Sequence, residues 1–166
     1  MNKVGEKLQD WAVGSHEENE SDAFGRSAFN RYYYAAYLET RDMLSMLDPK
    51  WARTSHKDIP QLLKRTVTAV IRKEANTQRK AGLITGGRAS GLCSTSNDAA
   101  SELSNLLESA YDIRVVADYN PDIRVVKNGA KIELANEKLD SARTWKNRAS
   151  IYTKQILKVW KELGIS

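Results

Sequence analysis

The sequence predicts an all-α fold, an up-and-down bundle of four to five helices with a small β-hairpin inserted near residues 122–134. Three observations carry this expectation. Apolar and small residues recur at spacings of three and four through most of the chain, the period of one helix face. The strong breakers, Gly14, Asp48-Pro49 and Asn120-Pro121, fall where those periodic runs stop. One segment alternates instead, around Asn128-Gly129, a pair that tolerates the positive φ of a two-residue hairpin turn.

The first helix spans residues 3–13, with Val4, Leu8 and Trp11 on one face, and the acidic stretch 14–20 reads as a loop. Ser21 or Asp22 caps a second helix whose inward stripe is Phe29, Tyr33, Ala36, Thr40, Met43 and Leu47. Asp48-Pro49 ends it, because a residue before proline is pushed out of the α region. A third helix begins near Asp58, with Pro60 in its first turn, and runs through Leu62, Leu63, Val67, Val70 and Ile71 toward Lys80. Residues 82–96, GLITGGRASGLCSTS, are rich in Gly, Ser and Thr and read as a loop. Thr95, Ser96 or Asn97 then caps a fourth helix with Ala99, Leu103, Leu106, Ala110, Ile113 and Ala117 inward. The last helix, 136–163, carries Leu139, Ala142, Ala149, Tyr152, Ile156, Val159 and Leu163 at bundle spacing.

The words Ile-Arg-Val-Val occur twice in DIRVVADYNPDIRVV, residues 112–126. The first copy continues the fourth helix and the second opens the hairpin. Arg114 and Arg124 therefore belong to different surroundings despite identical neighbours.

A chain of 166 residues fits one domain, 1–166, able to bury its own core. A single cysteine, Cys93, excludes an internal disulfide and a thiolate cluster, and His16 and His56 lack metal-ligand spacing. No metal or cofactor is expected. No run approaches the roughly 18 apolar residues of a membrane span, and the N-terminus lacks a leader pattern, so the expected setting is the cytoplasm. The net charge of +5 is uneven. Glu17, Glu18, Glu20 and Asp22 cluster early, whereas residues 57–88 carry Lys57, Lys64, Arg65, Arg72, Lys73, Arg79, Lys80 and Arg88 against only Asp58 and Glu74. Such a face suits a nucleic-acid backbone, with Arg65, Arg72 and Lys73 as contacts; an ordinary solvated face is the plainer reading. ITGGRASG has no Gly-Lys-Ser or Gly-Lys-Thr ending, which excludes a phosphate-loop NTPase.

Three segments together resemble one family. Arg31-Tyr-Tyr-Tyr-Ala-Ala-Tyr37 is similar to the Arg-x-Tyr-Tyr-Ala-x-aromatic segment of a subgroup of HEPN-domain proteins, Ser55-His56-Lys57 to the opening of their next helix, and Arg114 to Tyr119, RVVADY, to their late arginine and Ala-Asp-Tyr. The resemblance covers about residues 23–159. It implies a helical bundle, often a homodimer, in one of two roles. One is a metal-independent endoribonuclease of prokaryotic toxin–antitoxin or antiviral defence systems. The other is a non-catalytic module docking onto a nucleotidyltransferase or another defence protein. The family's nuclease motif has a histidine about four to six residues after its arginine, whereas this chain has Asp118 and Tyr119 there.

RNA cleavage beside a 2′-hydroxyl needs a base, an acid and positive charge near the transition state. The candidates are Arg114 for charge, Asp118 one helical turn later, Tyr119 for a hydroxyl, and His56 for proton transfer. Asn30, Arg31 and Tyr34 are candidate binding residues beside them, and Arg31 with Arg114 suits a phosphate. The plainer alternatives are a helix-end ion pair for Arg114 and Asp118, packing for Tyr119, and helix capping at Ser55 or His56.

Overall fold

Helical spacing prevails in the computed structural model, which describes residues 1–165; Ser166, the last residue of the expected domain, lies outside them. The helices are α1 Asn2–Gly14, α2 Glu18–Leu47, α3 Ile59–Gln61, α4 Thr68–Lys80, α5 Gly86–Tyr119 and α6 Leu139–Glu162. A 3-10 turn, Pro49–Arg53, follows α2, and a π-helical turn, Leu62–Val67, joins α3 to α4. Between α5 and α6 lie the short strands β1 Val126–Asn128, β2 Lys131–Leu134 and β3 Glu137–Lys138, an antiparallel sheet in the order β1-β2-β3. The fold is thus an all-α bundle with a small β insertion. Among the described residues no helix is long and apolar enough to cross a membrane.

The chain divides into two compact units, Met1–Leu38 with Leu107–Arg148, and Glu39–Leu106 with the chain from Ala149 onward. Helices α2, α5 and α6 each contribute a segment to both. The core of the first unit includes Phe29, Tyr32, Tyr33, Leu107, Leu134, Leu139 and Trp145; that of the second includes Met43, Leu44, Ile59, Leu63, Ile71, Leu103 and Ile156. The six-residue α2 stripe expected from spacing, Phe29 to Leu47, is buried throughout.

The inward face of α1 differs from expectation. Val4 and Trp11 are exposed, while Gly5 and Ala12 are buried. Close approach decides this: a Cβ on Gly5 would lie 2.7 Å from Cε1 of Tyr32, so only glycine lets that ring pack against α1. The Tyr32 hydroxyl donates to Gln9 Oε1 at 2.7 Å. Helix α2 begins earlier than expected, at Glu18, and the Ser21 hydroxyl donates to the Ala12 carbonyl at 2.8 Å, tying α2 to α1 instead of capping.

The expected third helix is interrupted. Ile59, Leu63, Val67, Ile71 and Ala75 are all buried at a strict spacing of four. At 3.6 residues per turn such a stripe drifts by about 40° per step, so local widening into a π turn keeps the series facing inward. The expected loop over 82–96 is corrected most. Thr85 Oγ1 accepts from the Arg88 amide at 3.1 Å as an N-cap, α5 starts at Gly86, and Ala89, Leu92, Ser96, Ala99 and Leu103 form its buried stripe.

The hairpin also shifts. Asp122 to Arg124 precede β1, and the β1–β2 turn is Gly129-Ala130, with Gly129 at φ +61°, the pattern of a type II′ turn. The type I′ geometry appears one turn later, at Ala135-Asn136, with φ of +49° and +66° between β2 and β3. Strand β3 occupies the residues expected to open the last helix, which starts at Leu139. The sheet packs closely on α2: a Cβ on Gly25 would meet Val125 at 3.1 Å and Ile132 at 3.4 Å.

Candidate functional site

Helix α5 ends at Tyr119 because Asn120 precedes Pro121. Its last two turns present Arg114, Asp118 and Tyr119 within the first unit. Arg114 Nη2 pairs with Asp118 Oδ2 at 2.7 Å, and the guanidinium lies 5.4 Å from the Tyr119 ring centroid. Tyr119 is 65% exposed. Asn30, on α2, donates from Nδ2 to Asp118 Oδ1. The Arg31 guanidinium lies 6.0 Å from the Tyr34 ring, and Tyr34 also acts electrostatically on Arg114. Burial disfavours the Arg114 charge, but Asp118, a hydrogen bond with Tyr119 and Tyr34 outweigh it and hold the guanidinium above its ordinary pKa.

Asn30, Arg31, Tyr34, Arg114, Asp118 and Tyr119 therefore form one contiguous set. Behind it stand stacked and edge-on tyrosines: Tyr33 lies 5.5 Å from Tyr34, 6.2 Å from Tyr37 and 6.0 Å from Tyr111 between ring centroids. Burial pushes the Tyr32 phenol up to about 12 and the Tyr33 phenol higher still. Two polar atoms of the set, Asn30 Oδ1 and Arg114 Nε, are buried without a protein hydrogen-bond partner.

Sequence reasoning did not single out Arg26. Its Nη1 donates to the carbonyls of Val116 and Ala117, both at 3.1 Å, and its Nη2 to those of Asn120, at 3.2 Å, and Ile123. Nε pairs with Asp22 at 2.9 Å, and Asp22 Oδ1 accepts from the Val125 amide at 2.8 Å. One guanidinium thus caps the C-terminus of α5 and anchors the chain leading to β1. Its partners are about 90 residues distant in sequence, so the only local signal was Asp22 one turn before it. Arg124 is separate, donating to Asn19 Oδ1 at 2.7 Å beside the hairpin.

His56 belongs to the second unit, in the turn before α3, where the Ser55 hydroxyl donates to Asp58 Oδ2 at 2.6 Å. Arg65 and Arg72 belong there too. With Lys64, Thr68, Asn97 and Ser101 they line a cavity of about 480 Å³ between the π turn with α4 and the N-terminal half of α5. Lys64 Nζ also donates to Asn105 Oδ1 at 3.0 Å. No carboxylate lines the cavity, and neither Arg65 nor Arg72 makes an ion pair among the described residues. Lys73 is exposed on α4 outside the lining. Asn97 and Ser101 escaped sequence reasoning as site residues, since Asn97 was read only as a candidate helix cap and Ser101 lies on the expected fourth helix with no local signal. Such a set offers fixed cations and short hydrogen-bonding side chains, which suits phosphate oxygens.

Comparison of the chain with family models, with curated proteins and with solved structures finds no match.

Proposed function

We propose that this chain is an HEPN-like protein of a prokaryotic defence or toxin–antitoxin module that binds RNA rather than cleaving it. The observation that carries the reading is the cavity with Arg65 and Arg72 in its lining and no carboxylate. Neither guanidinium makes an ion pair among the described residues, which leaves both available to phosphates, and exchange of counterions for RNA drives such binding.

The contrast with Arg114 supports binding over catalysis. Its guanidinium already faces Asp118 and Tyr119, so a phosphate arriving there must compete with an ion pair.

Two assays on one preparation test the proposal. Filter binding of a mixed single-stranded RNA should show retention by the wild type and loss on Arg65→Gln combined with Arg72→Gln. Incubation of the RNA without added metal should leave it intact with wild type and with Arg114→Ala alike. Cleavage by the wild type that disappears in Arg114→Ala would instead make Arg114 catalytic and overturn the binding-only reading.

A further inference from the structure

We infer that the cavity is one end of a longer track that holds the backbone of single-stranded RNA, an inference that rests on the RNA-binding reading and narrows it. A second cavity, of about 260 Å³, has Asn76, Arg79, Ser90 and Cys93 in its lining and shares Arg72 with the first. Arg72 and Arg79 lie seven residues apart on α4, close to two helical turns, and Arg65, in the π turn, lines the same cavity as Arg72, so the three follow one side. At the α-helical rise they form a line about 20 Å long. The facing wall is α5, which supplies Ser90, Asn97 and Ser101 at spacings of seven and four. No carboxylate lines either cavity, and Arg79 makes no ion pair among the described residues. The nearby Arg88, by contrast, is held by Glu162 and lies outside both linings.

This geometry selects among nucleic acids. The cations form a single line, whereas a duplex presents two phosphate rows on either side of each groove, separated by about 6 to 12 Å. A stacked strand rising about 3.4 Å per nucleotide passes roughly six nucleotides along the line. No aromatic ring lines either cavity, so bases find no stacking platform and binding is independent of sequence. The wall of Ser90, Asn97 and Ser101 supplies donors and acceptors that pair with a 2′-hydroxyl, which points to RNA over DNA.

Fluorescence anisotropy with a uridine oligomer of about twelve nucleotides tests the track, within the usual size range for single-strand sites. Three cations, Arg65, Arg72 and Arg79, predict that log affinity falls against log salt with a slope of about −2 between about 50 and 200 mM. Arg72→Gln with Arg79→Gln should lower that slope to about −0.7 and weaken binding at least roughly tenfold at the lower salt. Arg88→Gln should leave both unchanged, and circular dichroism should show each variant as helical as the wild type. The single thiol, Cys93, gives an independent readout: bound oligomer should slow its alkylation. An RNA duplex bound as tightly as the oligomer, or wild-type affinity in the double variant, would overturn the track while leaving RNA binding standing. A thymidine DNA oligomer bound equally well would remove the preference for RNA. Failure of the wild type to bind any RNA at the lower salt would sink the track and the proposed function together.

Discussion

Arg114 and Arg72 sit on long helices of the same chain, yet they meet opposite fates. Arg114, in the first unit, is turned onto Asp118 and the Tyr119 ring, with Asn30 completing the Asp118 carboxylate. Arg72, in the second, lines two cavities and has no carboxylate partner among the described residues. The difference lies in what surrounds each cation. The end of α5 carries an acid one turn from its arginine, while the wall facing α4 offers Ser, Asn and Cys. A guanidinium enclosed by its own protein's acceptors serves the fold; one left facing small polar groups serves a ligand.

The contrast is sharpest at Arg26, the most heavily engaged arginine of the first unit. Arg26→Met removes the clamp on the α5 carbonyls and strips Asp22 of its partner, and should destabilise by about 3 kcal/mol in urea denaturation. Gly5→Ala tests the close approach in the same unit: the added methyl must displace the Tyr32 ring, at a cost of about 2 kcal/mol in the same measurement. Arg114→Ala should cost about 1 kcal/mol, since the pair is partly screened, with side chains 17% and 25% exposed. Arg124→Ala, losing one exposed hydrogen bond, should cost less than about 0.5 kcal/mol. Equal losses from Arg114→Ala and Arg124→Ala would erase the distinction drawn between the two Ile-Arg-Val-Val copies.

Alkaline titration reads the first unit through Tyr32. Its phenol is raised in the folded state to about 12, above the ordinary value near 10, so folding favours the neutral form. That contribution is full below the unfolded value and is lost as pH climbs through the folded one. Between about pH 9 and pH 11 it should cost about 1 kcal/mol, visible as a steeper loss of stability in the wild type than in Tyr32→Phe. The smallest effect belongs to the second unit: Arg72→Gln should change stability by less than about 0.5 kcal/mol while weakening RNA binding. A large loss of stability there would mean that Arg72, like Arg114, belongs to the fold.

Where packing follows local spacing, the sequence was readable. The α2 stripe from Phe29 to Leu47 and the break at Asn120-Pro121 needed only helical period and proline geometry. At Arg114 spacing announced Asp118, one turn away, whereas Asn30, Arg31 and Tyr34 of α2 were expected beside it only from the family resemblance. Composition misled at GLITGGRASGLCSTS, where glycines and serines hid a cap at Thr85 and the stripe Ala89, Leu92, Ser96. That error removed Ser90 and Cys93 of the groove wall from view. Arg26 was unreadable for another reason, because its partners are carbonyl oxygens, which every residue has and which no side-chain pattern announces.

The π turn at Leu62–Val67 has a consequence for tolerance of insertions and deletions. A π turn holds more residues than the α turn it replaces, so excising one residue, such as the exposed Thr66, lets the segment relax to ordinary helix. The helix on either side of the cut then keeps nearly the same phase. Ile59, Leu63 and Val67 would follow one another at spacings of four and three, those of one ordinary helix face, and Lys64 and Arg65 would stay on the side of Arg72 and Arg79. A deletion at this point is therefore absorbed by the turn, whereas the same deletion within the regular turns of α4 would rotate one part of the helix by about 100° against the other.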